Sequence, residues 1–142
     1  PADLVVCAAA VTDFKPTENN KNKIKKEAIK LQKINFVKNY DILEYVSKNN
    51  KHRPRLVAGF SAETANVINN SVAKMKKKNC DIIFANDVSQ KDVGFNSDYN
   101  KIFVIEGKDK VKIIPKNKKS FIANKIAEIL LDKLLIDDKN IN

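Results

Sequence analysis

Two stretches, Leu56-Val57-Ala58-Gly59-Phe60 and Asp81-Ile82-Ile83-Phe84-Ala85, the second an apolar run opened by an aspartate, decide the fold. A run without polar alternation is the signature of a strand covered on both faces, the habit of parallel sheets. Between them, Ser61-Ala62-Glu63-Thr64 leads into a stretch with Ala65, Ile68, Val72 and Met75 at helical spacing, which predicts a helix of about four turns. Lys74, Lys77 and Lys78 lie near its C-terminal end, where the helix dipole favours cations. Strand, helix, strand in this order is a βαβ unit.

Upstream, Leu4-Val5-Val6-Cys7-Ala8-Ala9-Ala10-Val11 predicts another strand buried on both faces. Residues 12–30 are polar and lysine-rich and read as a long mobile connection; residues 31–37 read as a strand. Asn39 is placed to cap a short helix over residues 40–48, with Ile42, Leu43 and Val46 inward. Downstream, residues 86–100 form a long polar loop, and residues 101–106 and 110–114 flank Gly107-Lys108-Asp109 as a hairpin. Ser120 is expected to cap a last helix over residues 121–135, with Ile122, Ile126, Ile129, Leu130 and Leu134 inward; residues 136–142 are expected to be a flexible tail. The fold class is therefore α/β, a three-layer Rossmann-like or ribokinase-like sheet, largely parallel, with a C-terminal hairpin and helix, over residues 1–135. A chain that opens on a central strand without a methionine is expected to be part of a larger domain.

The 142 residues are 43% hydrophobic, enough for one core, and the 31% that are charged are interspersed with apolar runs, which argues against disorder. No apolar run approaches the roughly 20 residues of a membrane span, so a soluble, cytoplasmic protein is expected. Cys7 and Cys80 do not make a CxxC pair and His52 is the sole histidine, which argues against a disulfide framework, a Cys/His zinc site or a histidine-based triad. The net charge of +10 invites nucleic acid. The positive residues are nearly all lysine, however, in a chain also crowded with Asn and Ile, as drifting base composition would produce. Arg53 and Arg55 are the only copies of the residue that usually reads base edges. A small anionic ligand fits better than a duplex, and no nucleic-acid or membrane partner is expected.

In parallel sheets, ligands bind beyond the C-terminal ends of the strands. Here those segments are Val11-Thr12-Asp13-Phe14, Gly59-Phe60-Ser61-Ala62-Glu63-Thr64 and Ala85-Asn86-Asp87-Val88. Glycine is too scarce for a GxGxxG or Walker loop, so any phosphate must be held by lysines and helix N-termini. Asp13 reads either as a strand-end cap or as a ligand carboxylate. Lys23-Ile24-Lys25-Lys26 reads either as a solvated run or as a flap that brings a cation to a transferring phosphate. Lys74 and Lys78, four residues apart, share one side of their helix, as a solvated face or a triphosphate clamp. Phe60 is either core or a platform for a nucleobase. Asp13, Asp87 and Asp98 leave a metal site open.

Six motifs in order add to this reading. They are Ala8-Ala9-Ala10-Val11-Thr12-Asp13-Phe14-Lys15-Pro16, Lys23-Ile24-Lys25-Lys26, Val37-Lys38-Asn39-Tyr40-Asp41-Ile42-Leu43, Gly59-Phe60-Ser61-Ala62-Glu63-Thr64, Ala85-Asn86-Asp87-Val88 and Gly94-Phe95-Asn96-Ser97-Asp98. Together they resemble the bacterial phosphopantothenate–cysteine ligases of coenzyme A biosynthesis across nearly the whole chain. The resemblance implies ligation of 4'-phosphopantothenate to L-cysteine through an acyl-cytidylate made from CTP, with Mg2+. It further implies a homodimer and, in many relatives, a fused flavin (FMN) decarboxylase. An ATP-using ligase of the same family and a non-catalytic nucleotide-binding or regulatory module are the alternatives. By motif, Lys23 would be catalytic. Ala9, Asp13, Lys23, Tyr40, Asp41, Ile42, Leu43, Phe60, Lys74 and Lys78 would bind nucleotide, and Ala10 the acyl substrate. The chain departs from the pattern at two points. Tyr40 stands where the family usually has proline, and the glycine-rich GGT segment and asparagine of the family's N-terminal half do not occur. The resemblance thus implies the C-terminal portion of a ligase, carrying mainly the nucleotide-binding part.

Overall fold

The computed structural model describes residues 2–17, 34–49, 51–89 and 97–139, with side chains to residue 136. It divides into two compact units, Pro1–Ala8 with Ile42–Asn142, and Ala9–Asp41.

The larger unit is a five-stranded sheet in the order β1-β4-β5-β6-β7. Its strands are β1 (Leu4–Cys7), β4 (Leu56–Glu63), β5 (Ile82–Asp87), β6 (Tyr99–Gly107) and β7 (Lys110–Lys118). The pairings β1–β4 and β4–β5 are parallel, and the β6–β7 hairpin is added antiparallel on the β5 side. Helices α1 (Ile42–Lys48) and α2 (Val67–Lys78) cover one face and α3 (Lys119–Lys139) the other, giving the expected three layers.

The core follows the strict two-residue alternation of a sheet. Leu56, Ala58, Ile82, Phe84, Ile102 and Val104 meet Ile122, Ile126 and Leu130, which recur every fourth residue along α3. Their neighbours Val57, Ile83, Ala85 and Ile105 face the other way, against Val72 and Met75 of α2 and Leu43 and Val46 of α1. Gly59 belongs to this second face: a Cβ there would lie 2.6 Å from a Leu43 methyl, so its bare backbone lets α1 seat on β4. Cys80 sits in the same cluster, and burial pushes its thiol up to about 11, so it behaves as a small apolar side chain.

Several expectations shift. The run expected over residues 4–11 is a strand only to Cys7. It is half-buried rather than covered on both faces, and Val11 is 49% exposed. Strands β4 and β5 run further than their apolar cores because Ser61, Ala62 and Glu63 pair in register with Ala85, Asn86 and Asp87. That ladder delays α2 to Val67, so Ala65 lies outside the helix and Ile68 is 37% exposed. Val72 and Met75 pack inward as expected, and Ser71 is buried beside them. In a glycine-poor chain, asparagine supplies the left-handed turns at both ends of this helix, Asn66 (φ 49°) and Asn79 (φ 60°). The hairpin strands extend beyond their apolar stretches, with an extra residue in β7 near Pro115, where a missing N–H is tolerated on an outer strand. Ser120 lies inside α3 rather than capping it, and the helix continues to Lys139 through residues expected to be tail. Arg55 donates to the Leu134 carbonyl (3.3 Å) close to the boundary expected at residue 135.

At the end of the sheet where β4 and β5 begin, Arg53 gathers four segments. Its guanidinium donates to Ser47 O (2.8 Å), Pro54 O (3.0 Å), Asn79 O (3.0 Å) and both oxygens of Asp81 (2.9 Å). Asp81 in turn accepts from the Val57 N–H at 2.7 Å. The ends of α1 and α2 are thereby tied to the starts of β4 and β5.

The smaller unit contains β2 (Phe14–Pro16) paired antiparallel with β3 (Phe36–Lys38). From the sequence, residues 14–16 belong to a connection and a strand is expected over residues 31–37. A three-residue strand carries too few alternations to register as a period. Residues 31–33 lie outside the described residues. No helix among the described residues is long and apolar enough to cross a membrane.

Candidate functional site

The lysines singled out on α2 are brought to a defined place. Helical side chains lean toward the helix N-terminus, here toward the ends of β4 and β5 where a parallel sheet presents ligands. Lys74 Nζ donates to the Phe60 carbonyl at 3.0 Å. Lys78 Nζ, one turn on, reaches Glu44 Oε2 in the first turn of α1 at 3.0 Å. Glu44 Oε1 also accepts from Lys48 at 2.7 Å. Lys78 is only 14% exposed, so the two ammonium groups are held rather than left on a solvated face. Leu43 and Ile42 lie beside them at the start of α1, with Leu43 packed against Gly59.

The hydrogen bonds from Lys48 and then Lys78 hold the Glu44 carboxyl down to about 2, against an ordinary value of 4.5. A depressed carboxyl contributes stability that is complete above its unfolded value and disappears as pH falls through the folded one. Wild type should therefore lose its stability advantage over Glu44→Gln as pH is lowered from about 5 toward 2. Thermal melts of both proteins across that range check this. A constant difference would mean that the carboxylate is not the group being held.

Phe60 divides its roles. Its carbonyl meets Lys74, but its ring packs on the opposite, α3 face, tilted at 39° to Phe84 with centroids 5.4 Å apart. The ring is thus partly buried against the α3-side core, on the face away from Lys74 and Lys78. The ring also borders a cavity of about 240 Å³ on the α3 face, with Asn100, Ile102, Lys119 and Ile122. Within its motif Ser61 Oγ donates to Glu63 Oε1 (2.5 Å), and Asn70 Nδ2 of α2 donates to Glu63 Oε2 (3.3 Å). Asn86 keeps a buried Oδ1 with no hydrogen-bond partner among the described residues. Asp87 accepts from Ser89 N (3.0 Å) and Oγ (2.6 Å), as a carboxylate that caps a turn does.

In the smaller unit, Asn39 ties two candidate segments together. Its Nδ2 donates to Thr12 O at 3.0 Å, its backbone N–H to Asp13 O at 2.7 Å, and its Oδ1 accepts from Tyr40 N at 3.0 Å. Asn39 is therefore a clamp between the loop around Asp13 and the one at Tyr40, not the cap of α1, which begins two residues after Tyr40. The clamp supplies some of the order that proline at position 40 would give. Ala9, Ala10, Asp13, Tyr40 and Asp41 belong to this unit; Ile42, Leu43, Phe60, Lys74 and Lys78 belong to the other. Lys23, with Lys25 and Lys26, and Gly94-Phe95-Asn96 lie outside the described residues. Among the described residues, no group of three or more His, Cys, Asp or Glu side chains gathers as a metal cage.

Glu44 and Asn39 are the residues whose site contacts the sequence reading missed. The i,i+4 spacing of Glu44 and Lys48 was a usable signal; the pairing with Lys78 joins two helices and had none.

Comparison with known proteins gives this arrangement its family. The chain is 40% identical over 129 residues to the coenzyme A biosynthesis bifunctional protein CoaBC of Borreliella burgdorferi, covering 90% of this chain and 32% of that one. To the protein of the same name from Escherichia coli K12 it is 38% identical over 142 residues, covering 97% and 34%. The chain thus spans about a third of the length of these curated relatives. Its fold matches a crystal structure of the C-terminal domain of a coenzyme A biosynthesis bifunctional protein CoaBC, with TM-score 0.67, 24% identity, and coverage of 96% of this chain and 56% of that one. A family model described as the DNA/pantothenate metabolism flavoprotein C-terminal domain matches residues 1–134. With nearly the whole chain matched, this protein belongs to the family of DNA/pantothenate metabolism flavoprotein C-terminal domains.

Proposed function

We propose that this chain serves coenzyme A biosynthesis as the nucleotide-binding part of a phosphopantothenate–cysteine ligase that uses CTP. The observation that carries the reading is the pair Lys74 and Lys78, held on one flank of α2 beside the first turn of α1 and the Phe60 carbonyl. Two fixed ammonium groups suit a triphosphate in a chain without a glycine cradle. The kinship with proteins named for coenzyme A biosynthesis supports the pathway.

In the proposed reaction, a carboxylate oxygen of 4'-phosphopantothenate attacks the α-phosphorus of CTP. The bond to the bridging oxygen breaks, and pyrophosphate leaves. The amine of L-cysteine then attacks the acyl carbon of the cytidylate, loses a proton, and expels CMP. Lys74 and Lys78 would neutralise the phosphates that depart as pyrophosphate. Lys23 would meet the α-phosphate as its charge builds. Ala9, Asp13, Tyr40, Asp41, Ile42 and Leu43 would frame the nucleotide, and Ala10 the acyl group. Mg2+ suits this scheme as an ion carried by the phosphates and one or two carboxylates. FMN belongs, in this reading, to a separate decarboxylase domain, and the working enzyme is a cytoplasmic homodimer.

Lys23→Gln in the full-length ligase should lower turnover on the order of a hundredfold, the cost of losing one electrostatic contact at a reacting group, with CTP affinity nearly unchanged. Pyrophosphate release from CTP and from ATP, dependent on 4'-phosphopantothenate, measures this, with Lys25→Gln as control. Unchanged turnover would remove the catalytic role of Lys23. Release from ATP alone would replace CTP with ATP.

A further inference from the structure

Among the described residues Glu44 bonds two lysines, and the two bonds are unequal in consequence. Lys48 lies one turn along the same helix, with Nζ 2.7 Å from Oε1, and its side chain is 51% exposed. Lys78 comes from another helix to Oε2 at 3.0 Å, and its side chain is 14% exposed. Lys74, beside it, bonds a neutral carbonyl instead. Of the two α2 lysines proposed to hold phosphate, one therefore rests on a dipole and the other on a full negative charge.

An incoming phosphate and Glu44 are both anions that bind the Lys78 ammonium, so they compete for it. Loss of Lys78 does not leave Glu44 without a cation, because Lys48 already holds its other oxygen. The exchange thus has a low cost on the protein side: Lys78 passes from carboxylate to phosphate while Glu44 stays paired.

We propose that Glu44 is a displaceable counter-ion that occupies Lys78 until a polyphosphate takes its place, and that it restricts the site to ligands whose charge reaches that far. The proposal rests on the nucleotide reading for the identity of the ligand, but its test does not. If Glu44 instead pre-positioned Lys78 for phosphate, removing its charge would weaken binding, so the two roles differ in sign.

The test is calorimetric titration of wild type, Glu44→Gln and the double variant Glu44→Gln with Lys78→Met, using inorganic tripolyphosphate and, separately, CTP. Glu44→Gln keeps the side-chain shape on a part-exposed helix position, and thermal melts establish that it is folded. Tripolyphosphate should bind Glu44→Gln roughly two- to fivefold tighter than wild type, the scale of one partly exposed charge pair. The gain should shrink at high salt and vanish in the double variant. Equal, weaker or absent tripolyphosphate binding by Glu44→Gln overturns the proposal, as does a gain that survives the loss of Lys78. If the tripolyphosphate pattern holds while CTP gives no heat, the counter-ion stands and the nucleotide reading falls.

Discussion

Alanine at both Lys74 and Lys78 is expected to weaken CTP binding by about a hundredfold or more and to leave CMP within a few fold of wild type. Each charge-assisted contact to a phosphate contributes about 1.5–3 kcal/mol when partly desolvated, and the added phosphates are what these ammonium groups would touch. The structure makes the effect separable from folding. Lys78 bonds the Glu44 carboxylate, which keeps Lys48, and Lys74 bonds the backbone carbonyl of Phe60. Neither side chain fills the apolar cores. Titration of both nucleotides against wild type and the double variant checks this. Equal losses for CTP and CMP would assign the lysines to the fold or to the base rather than to the phosphates.

Arg53→Met is expected to cost about 3 kcal/mol of stability. The replacement keeps the apolar stem and removes the fork that serves three carbonyls and a carboxylate. Arg53→Lys should recover less than half of the loss, since an ammonium cannot span Ser47, Asn79 and Asp81 together. Denaturant unfolding at neutral pH reads both values. Full recovery by lysine would show that charge, not the planar fork, joins the four segments.

The parallel half of the sheet was legible because Leu56–Ala58 and Ile82–Ala85 are buried on both faces, and burial on both faces leaves no polar alternation to confuse the reading. The α3 stripe was legible for the related reason that Ile122, Ile126 and Leu130 repeat at the helical period. The start of α2 was not. Ser61, Ala62 and Glu63 look like a helix entry, but pairing with β5 outweighs local propensity there. Strand β2 was hidden by its length. The lysines of the candidate site were found from spacing, whereas Glu44 was passed over because its partner Lys78 is 34 positions away in the chain. Phe60 shows the limit of a motif reading. The residue lies where expected, yet its carbonyl and its ring serve opposite faces of the sheet.

If this chain holds a cytidine triphosphate through the lysines of α2, direct titration of the wild-type chain should give measurable heat with CTP at millimolar concentration or below and clearly weaker binding of CMP. No heat with CTP at millimolar concentration, or CMP bound as tightly as CTP, would contradict it.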